Sequence, residues 1–217
     1  MSRRVRTVAI DGPAGAGKST LARALADHLG LERLDTGAMY RSVTWAALQR
    51  GIDVADAEAV AELARRLRIE VGEAEVLVDG ADATAGIRSA AVDGSVSVVA
   101  ANPAVRRELV ARQREWVARH GGGVVEGRDI GTVVLPDADV KVYLTAMPDE
   151  RARRRAVERG REELAEVAAA LDRRDTLDSS RPVSPLRAPE LAAGDAIVVD
   201  STGKPAEAVL EEVLACL

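Results

Sequence analysis

The chain has 217 residues, enough for one large domain or for a core with inserted lobes, and 47% of them are hydrophobic, which is enough to bury a core. The formal net charge of −5 argues against a nucleic-acid or membrane-surface partner. The single cysteine, Cys216, excludes an internal disulfide bond and fits a reducing cytoplasm. No apolar run reaches the length of a membrane span and no signal-peptide pattern opens the chain, so we expect a cytoplasmic protein.

The first elements are a strand, a glycine-rich turn and a helix. Residues 5–10 are rich in β-branched side chains and predict a strand. Leu21, Leu25 and Leu29 recur every fourth residue and predict a helix that ends at Gly30. The pattern G-x-x-x-x-G-K-[ST] lies between them and predicts an ATP-binding loop formed by Gly12, Pro13, Ala14, Gly15, Ala16, Gly17, Lys18, Ser19 and Thr20.

The chemistry of this loop explains its spacing. Glycines let the backbone turn tightly, so that successive N–H groups and the positive end of the following helix face the phosphate oxygens. Lys18 would be a catalytic cation at the β- and γ-phosphates, and the Ser19 hydroxyl would be the protein's ligand to Mg²⁺, the cofactor that accompanies ATP. A Gly/Ala-rich turn without a ligand is the alternative, and the flanking strand and helix favour the phosphate loop.

Strand-like and helix-like segments alternate at both ends of the chain, which predicts an α/β fold with a parallel sheet. Helices are predicted at residues 36–50, 55–67, 91–100, 104–119, 148–159, 162–174 and 205–217. Strands are predicted at residues 32–35, 68–71, 75–78, 124–125, 140–144 and 196–199. The pair 68–71 and 75–78 predicts an antiparallel hairpin that turns at Gly72.

Two regions depart from this alternation and suggest a division of the single domain. Residues 36–100 contain the hairpin and predict an inserted lobe. Residues 159–189 are dense in arginine, aspartate and proline, a composition typical of an exposed, mobile lid. The remaining segments, 1–35, 101–158 and 190–217, would form the core.

Polar residues follow two of the predicted strands. Asp35 or Thr36 can cap the helix that begins there, which would place Tyr40 and Arg41 near the carboxyl edge of the sheet, where ligands bind in open α/β folds. A plain capped helix with a surface arginine is the alternative.

The sequence E-G-R-D directly follows residues 124–125. Glu126 could order the waters around Mg²⁺, and Arg128 suits bidentate binding of a phosphate. A structural ion pair is the alternative, which we rank lower because this strand end should face the loop that starts at Gly12.

Arginines and aspartates are concentrated in the predicted lid. This cluster comprises Arg173, Arg174, Asp175, Asp178 and Arg181, and it is preceded by Arg151, Arg153, Arg154 and Arg155. A flap of this kind would close cations over a transferring phosphoryl group and exclude water. A solvated helix face is the alternative, and we expect it to hold for several of these arginines.

With these motifs the chain resembles the bacterial cytidylate kinases, the CMP kinases among the P-loop nucleoside monophosphate kinases. The resemblance covers essentially the whole length. It rests on IDGPAGAGKST, DTGAMYR, SVVAANPAVR, GRDIGTVVLPDA and the spaced run R-D-x-x-D-x-x-R, at residues 10–20, 35–41, 97–106, 127–138 and 174–181. The loop motif alone marks many unrelated enzymes, whereas the combination is far more specific.

The resemblance implies a core with a five-stranded parallel sheet, a lid, and a monophosphate-binding lobe with a small antiparallel sheet. It implies transfer of the γ-phosphoryl group of ATP to CMP or dCMP with Mg²⁺ as cofactor, by a monomer that binds neither nucleic acid nor membrane. Lys18, Arg128 and Arg181 would be the catalytic cations.

The resemblance also implies an acceptor site with three groups of residues. The acceptor phosphate would be bound by Thr36, Tyr40, Arg41 and Arg128. Cytosine would be contacted by Ser97, Arg106 and Asp129. The ribose would be contacted by Arg174 and Asp178, and Arg181 would join the contacts of the lid.

The chain departs from the family pattern at three positions. Thr36 stands where many members have serine, which keeps the hydroxyl. Leu177 and Ser179 stand where relatives can have arginine, so fewer lid arginines would act here.

The assignment of cytosine to Asp129 and Arg106 also makes chemical sense, because a carboxylate accepts from the cytosine amino group and an arginine donates to the ring acceptors.

Two other classes of function would also use a phosphate loop. Another P-loop kinase with a different acceptor would share the loop, and substrate panels would separate the two. A nucleotide-dependent switch of the GTPase type would carry N-K-x-D, but the sole asparagine, Asn102, precedes Pro103. An ABC-type ATPase would carry L-S-G-G, which is absent from the sequence. The sequence therefore favours the enzyme.

Overall fold

The computed structural model describes residues 5–158, 160, 163–180, 183, 185–186 and 194–217. The strands are β1 Thr7–Asp11, β2 Arg33–Asp35, β3 Ile69–Val71, β4 Val76–Val78, β5 Ala81–Asp82, β6 Gly123–Glu126, β7 Val140–Thr145 and β8 Ile197–Asp200. The α-helices are α1 Lys18–Leu29, α2 Thr36–Gln49, α3 Ala57–Arg66, α4 Ala90–Ala101, α5 Pro103–His120, α6 Pro148–Glu158, α7 Leu164–Ser180 and α8 Ala206–Leu214.

The chain forms two units, each with its own internal packing. The first unit consists of Met1–Arg33 and His120–Leu217, and the second of Leu34–Arg119. The functional division into core, inserted lobe at 36–100 and lid at 159–189 stays a prediction. Among the described residues, no helix has both the length and the apolar character needed to cross a membrane.

The larger sheet has five strands in the order β2-β6-β1-β7-β8. β1 pairs in parallel with β6 on one side and with β7 on the other, and β7 pairs in parallel with β8. Because the strands run in the same direction, the segments that follow β1 and β6 lie beside each other at the carboxyl edge. The predicted five-stranded parallel sheet is confirmed.

The core of the first unit lies around β1. Val8 and Ile10 are fully buried, as expected for a central parallel strand covered on both faces. Leu21 and Leu25 of α1 pack onto this core, as does Val213 of α8. Burial of each such side chain is worth about 1.5–3 kcal/mol, which fixes the position of α1 behind the loop that precedes it.

The helices α6 and α7 pack against each other through small and apolar side chains. Ala152 and Ala156 of α6 form a cluster with Val167 and Leu171 of α7. The predicted exposure of the segment 159–189 is therefore wrong for Val167 and Leu171, and α7 also extends beyond its predicted end.

The second unit contains a small antiparallel sheet in the order β3-β4-β5. β3 and β4 form the predicted hairpin, with Ile69 opposite Val78. The third strand, β5, was not predicted, because two residues carry no alternation to read. Asp79 and Gly80 make the turn before β5, both with positive φ angles of 51° and 80°.

Both tryptophans of the chain lie in the second unit. Trp45 of α2 covers Gly86, where an added Cβ would stand 2.3 Å from the indole Nε1. Trp116 of α5 lines a cavity of about 520 Å³ together with Met39 and Leu77. Glycine at position 86 is therefore required for this packing.

Candidate active site

The phosphate loop connects Asp11, the last residue of β1, to Lys18, the first residue of α1. Gly12 has φ 146°, and a Cβ there would stand 2.0 Å from the carbonyl oxygen of Leu144. Gly15 has φ 77°, and a Cβ there would stand 3.0 Å from the backbone oxygen of Arg151. Glycine is needed at both positions because the neighbouring backbone leaves no room for a side chain.

Four backbone carbonyls of this loop accept hydrogen bonds from side chains that come from different elements. The bonds join Gly12 O to Arg128 at 2.6 Å, Pro13 O to Lys18 at 2.8 Å, Ala14 O to Arg151 at 3.2 Å, and Ala16 O to Ser201 at 2.9 Å. Carbonyl oxygens repel an anion, so binding them to cations and a hydroxyl removes that repulsion. The arrangement suits a loop whose N–H groups receive phosphate oxygens.

The Ser19 hydroxyl connects the start of α1 to the end of β6. Its Oγ donates to Glu126 Oε2 at 2.8 Å, and Glu126 Oε1 lies 3.2 Å from the guanidinium of Arg33. The Glu126 residue is 3% exposed. A hydroxyl beside a carboxylate is an oxygen donor set of the kind that Mg²⁺ prefers, so the residues present fit the predicted metal. Among the described residues, no group of three or more His, Cys, Asp or Glu side chains is arranged so that it could hold a metal ion.

Arg128 follows the carboxyl end of β6 and faces the loop that starts at Gly12, as predicted. Besides its bond to Gly12, its Nε lies 2.9 Å from Asp178 Oδ2 on α7, and Arg174 Nε lies 3.9 Å from the same carboxylate oxygen. The structure thus brings Arg128, Arg174 and Asp178 together near the phosphate loop. The ion pair with Asp178 realises the structural alternative for Arg128, and its binding of a phosphate stays a prediction.

Asp129 is buried and directly precedes a short π-helix, Ile130–Val134, which was not predicted. Its carbonyl oxygen accepts from the N–H groups of Val133 at 2.9 Å and Val134 at 3.1 Å. π-Helical turns occur mostly as single turns and frequently at functional sites.

Asp11 is a buried carboxylate that was not predicted as a site residue. Its Oδ1 accepts from the Ile130 N–H at 2.6 Å and its Oδ2 from the Gly131 N–H at 2.8 Å. The pKa of Asp11 is raised to about 6, and burial is the largest cause. The negative charge of Asp129 also raises it, whereas the N–H groups of Ile130 and Gly131 and the charge of Lys18 lower it. A charged residue at the end of an apolar strand, next to Gly12, was the signal that could have identified it.

The second unit holds the other predicted site residues. Thr36 is buried at the start of α2, where Asp35 caps the helix by accepting from the Ala38 N–H at 3.0 Å. Arg41 donates to the Ile87 carbonyl at 2.8 Å and pairs with Asp93.

Arg106 of α5 is 3% exposed, and its guanidinium carbon lies 5.7 Å from the centre of the Tyr40 ring, within cation–π range. Its Nη1 donates to the Ala100 carbonyl at 3.5 Å. Ser97 lies half-buried on α4. The structure therefore brings Tyr40 and Arg106 together within this unit.

Two residues of the arginine-rich region act on the phosphate loop in a way the sequence did not reveal. Arg151 donates to Ala14 and pairs with Asp175 of α7. Arg154 donates from Nη1 to Ala16 O at 3.4 Å and from Nη2 to Ser201 O at 2.7 Å. Arg181, the member of the lid cluster predicted to be catalytic, lies outside the described residues.

A cavity of about 430 Å³ opens beside the phosphate loop within the first unit. Gly17 and Thr20 of the loop contribute to its wall, with apolar side chains from Val157 and Val209 and the cation of Lys204. Its position next to the loop and its mixed lining suit the nucleoside of a nucleotide whose phosphates occupy the loop.

Comparison with known proteins identifies the relatives of this chain. The family model described as cytidylate kinase matches residues 8–217. A cytidylate kinase from Desulfitobacterium hafniense is 49% identical over 214 residues, covering 95% of this chain and 90% of that protein. A bifunctional pantoate ligase/cytidylate kinase from Prochlorococcus marinus (strain MIT 9303) is 49% identical over 217 residues, and the chain spans 43% of its length.

Among solved structures, a gluconokinase from Sinorhizobium meliloti superposes with a TM-score of 0.54 at 15% identity, covering 98% of this chain and 91% of that one. At this identity the likeness concerns the fold alone. It agrees with the α/β architecture built around the phosphate loop.

Proposed function

The chain belongs to the cytidylate kinase family, and from that premise we infer that it transfers the γ-phosphoryl group of ATP to CMP or dCMP, giving ADP and CDP or dCDP. The predicted family is confirmed. One observation carries the mechanism: the phosphate-loop carbonyls are held by Arg128, Lys18, Arg151 and Ser201. This preorganises the loop before a nucleotide arrives, so little of the binding energy goes into ordering it.

ATP is the donor in this proposal. Its triphosphate would occupy the loop of residues 12–20, where the Lys18 ammonium would turn from the Pro13 carbonyl to the β- and γ-phosphates. Its adenosine would occupy the neighbouring cavity, whose apolar wall suits a purine ring.

Mg²⁺ would be held by the Ser19 hydroxyl, and the Glu126 carboxylate, 2.8 Å from that hydroxyl, would order the waters around the ion. When bound, the ion would supply positive charge against the phosphates of ATP. Ser19 and Glu126 contribute by holding their oxygens in one place, since Arg33 fixes the other oxygen of the carboxylate.

The acceptor roles are proposals that rest on the chemistry of each residue. In the first unit, Arg128 would bind the acceptor phosphate, Asp129 would accept from the cytosine amino group, and Arg174 and Asp178 would contact the ribose. In the second unit, the phosphate would be bound by Thr36, Tyr40 and Arg41, and cytosine by Ser97 and Arg106. Arg181 is proposed to join the lid and to stabilise the transferring phosphoryl group.

Phosphoryl transfer needs positioning and charge neutralisation more than covalent participation by the protein. In that scheme Lys18, Arg128 and Arg181 supply positive charge on the transferring group, and closure of a lid excludes water that would otherwise hydrolyse ATP. A monomeric state and a cytoplasmic location stay predictions.

A coupled assay of ADP release tests the proposal with CMP, dCMP, UMP, AMP and GMP as acceptors. We expect rapid ADP release with CMP and dCMP, slow release with UMP, and only background release with the purine nucleotides. Equal rates with UMP and CMP would indicate a broader pyrimidine kinase. Background rates with all five acceptors would overturn the proposed function and favour a P-loop kinase that acts on a different acceptor.

A further inference from the structure

Asp11 caps the π-helical turn that follows the Arg128–Asp129 pair. The first N–H groups of a helical turn have no partner within the turn, and Ile130 and Gly131 donate theirs to the two oxygens of the Asp11 carboxylate. Each oxygen accepts one N–H, at 2.6 Å and 2.8 Å, and Asp11 is 7% exposed. The cap is therefore shielded from water.

The same short segment is tied to the phosphate loop from its other side. Arg128, two residues before Ile130, donates to the Gly12 carbonyl at 2.6 Å, and Gly12 directly follows Asp11. Asp11 at the end of β1 thus holds Ile130 and Gly131, and Gly12 at the start of the loop holds Arg128. Asp129 lies between these attachment points with φ −146° and ψ 28°, so its backbone has little freedom to turn.

We propose that Asp11 is a positioning residue for the acceptor nucleotide: its carboxylate fixes the backbone from which Arg128 and Asp129 project. Asp11 does not itself touch the nucleotide in this proposal. The inference rests on the proposed function, because Arg128 and Asp129 are positioned for CMP only if CMP is the acceptor.

The carboxylate is the group this position needs. Ionised aspartate offers acceptor oxygens on both branches, whereas asparagine offers one oxygen and an NH₂ group that only donates. Asp11→Asn would therefore place a donor against either the Ile130 or the Gly131 N–H. The turn would then shift to relieve that contact, and Arg128 and Asp129 would shift with it.

Asp139, which directly precedes β7, provides a control because it binds the opposite end of β1. Its Oδ2 accepts from the N–H groups of Arg6 at 2.9 Å and Thr7 at 3.0 Å. Asp139→Asn removes the same negative charge at the amino-terminal rather than the carboxyl edge of the sheet, but its remaining oxygen can still accept both N–H groups. An effect of charge removal alone should therefore appear in both variants.

The experiment compares steady-state kinetics of the wild type, Asp11→Asn and Asp139→Asn. For Asp11→Asn we expect the KM for CMP to rise about tenfold, which corresponds to about 1.4 kcal/mol, while the KM for ATP changes less than twofold. The preference for CMP over UMP should fall in the same variant. Asp139→Asn should match the wild type in all three quantities.

Three results decide against the proposal. If Asp11→Asn has the same KM for CMP as the wild type, the cap does not position the acceptor site. Equal rises in the KM values for CMP and ATP, or a fall in kcat with both KM values unchanged, would show a general structural role. If the wild type itself fails to phosphorylate CMP, the proposed function fails first, so the two failures are distinguishable.

Asp11→Asn could fail to fold, so a measurement on the wild type is included. Amide hydrogen exchange should show Ile130 and Gly131 protected to the same degree as the N–H groups of β1. Exchange of both amides at the rate of exposed loops would mean that the cap does not form in solution, and this would overturn the proposal without any variant.

Discussion

The Lys18 ammonium donates a hydrogen bond to the carbonyl oxygen of Pro13, 2.8 Å away, across the loop that both residues help to form. The charge is therefore held over the loop by a backbone dipole and does not pack into the core. A phosphate that enters the loop can replace this carbonyl as the partner of the ammonium, and only the Lys18 side chain has to move.

Lys18→Ala should nearly abolish phosphoryl transfer without unfolding the protein, because Lys18 stabilises charge in the transition state. The measurement is kcat with ATP and CMP, together with Tm. Lys141→Ala, which removes a lysine paired with Asp195, should retain activity. Turnover near the wild-type rate in Lys18→Ala would remove the central claim about the loop.

Ser19→Ala should raise the Mg²⁺ concentration needed for half-maximal activity, by about tenfold, because the proposed direct protein ligand is lost while phosphate oxygens and waters remain. Ser19→Thr keeps the hydroxyl and should titrate like the wild type. The check is a Mg²⁺ titration of activity at fixed ATP. Identical curves for all three proteins would count against the assignment of Ser19.

Asp129→Asn should reduce the preference for CMP over UMP. In the wild type, the O4 of uracil would face a carboxylate and lose its hydrogen bond, a difference worth roughly 1–3 kcal/mol, whereas an amide can donate to O4. The ratio of kcat/KM values for CMP and UMP measures this. Asp137→Asn, the same change at an exposed neighbouring position, should leave the ratio unaltered. An unchanged ratio in Asp129→Asn would mean that Asp129 does not read the base.

Gly12→Ala should destabilise the protein by about 3 kcal/mol or more, since its Cβ would stand 2.0 Å from the Leu144 carbonyl oxygen. Gly30→Ala is the matched control: its φ of 64° is also left-handed, but an added Cβ meets nothing within 4 Å. It should cost about 1 kcal/mol. Urea unfolding gives both values, and similar losses would show that close packing at Gly12 is not decisive.

The pKa of Asp11, raised by burial from its ordinary 3.8 to about 6, predicts a pH-dependent stability. The folded state binds the proton more tightly than the unfolded state does, so the contribution of Asp11 is fully present below pH 4 and lost as the pH rises through 6. The unfolding free energy of the wild type should therefore fall, relative to Asp11→Asn, by about 2 kcal/mol between pH 4 and 7. Denaturation of both proteins across this range is the measurement, and a difference independent of pH would contradict it.

The loop and its surroundings could be predicted because local sequence determines them. Gly12 and Gly17, the two glycines that the motif fixes, both adopt positive φ angles, and so does Gly15 between them. Asp35 caps α2 as its position before the helix predicts. The direction of Arg128 could be inferred because parallel strands end at the same edge of a sheet.

The remaining site features depend on contacts between distant parts of the chain. Arg151 and Arg153 share one arginine-rich run in the sequence, yet Arg151 is 9% exposed and contacts Ala14, whereas the Arg153 side chain is 62% exposed and pairs with Glu150. Helical periodicity alone could not decide which arginine faces the loop. The π-helix after Asp129 depends likewise on the Asp11 carboxylate, which lies far away in the sequence.

Trp45 and Trp116, the two tryptophans of the chain, both belong to the unit Leu34–Arg119. Intrinsic tryptophan fluorescence is therefore a signal from that unit alone, whereas far-ultraviolet circular dichroism records the helices of both units. Coincident denaturation curves from the two signals would indicate a single cooperative transition, and separated curves would indicate that each unit melts on its own. The uneven distribution of two indole rings thus gives this protein a built-in spectroscopic reporter that needs no label.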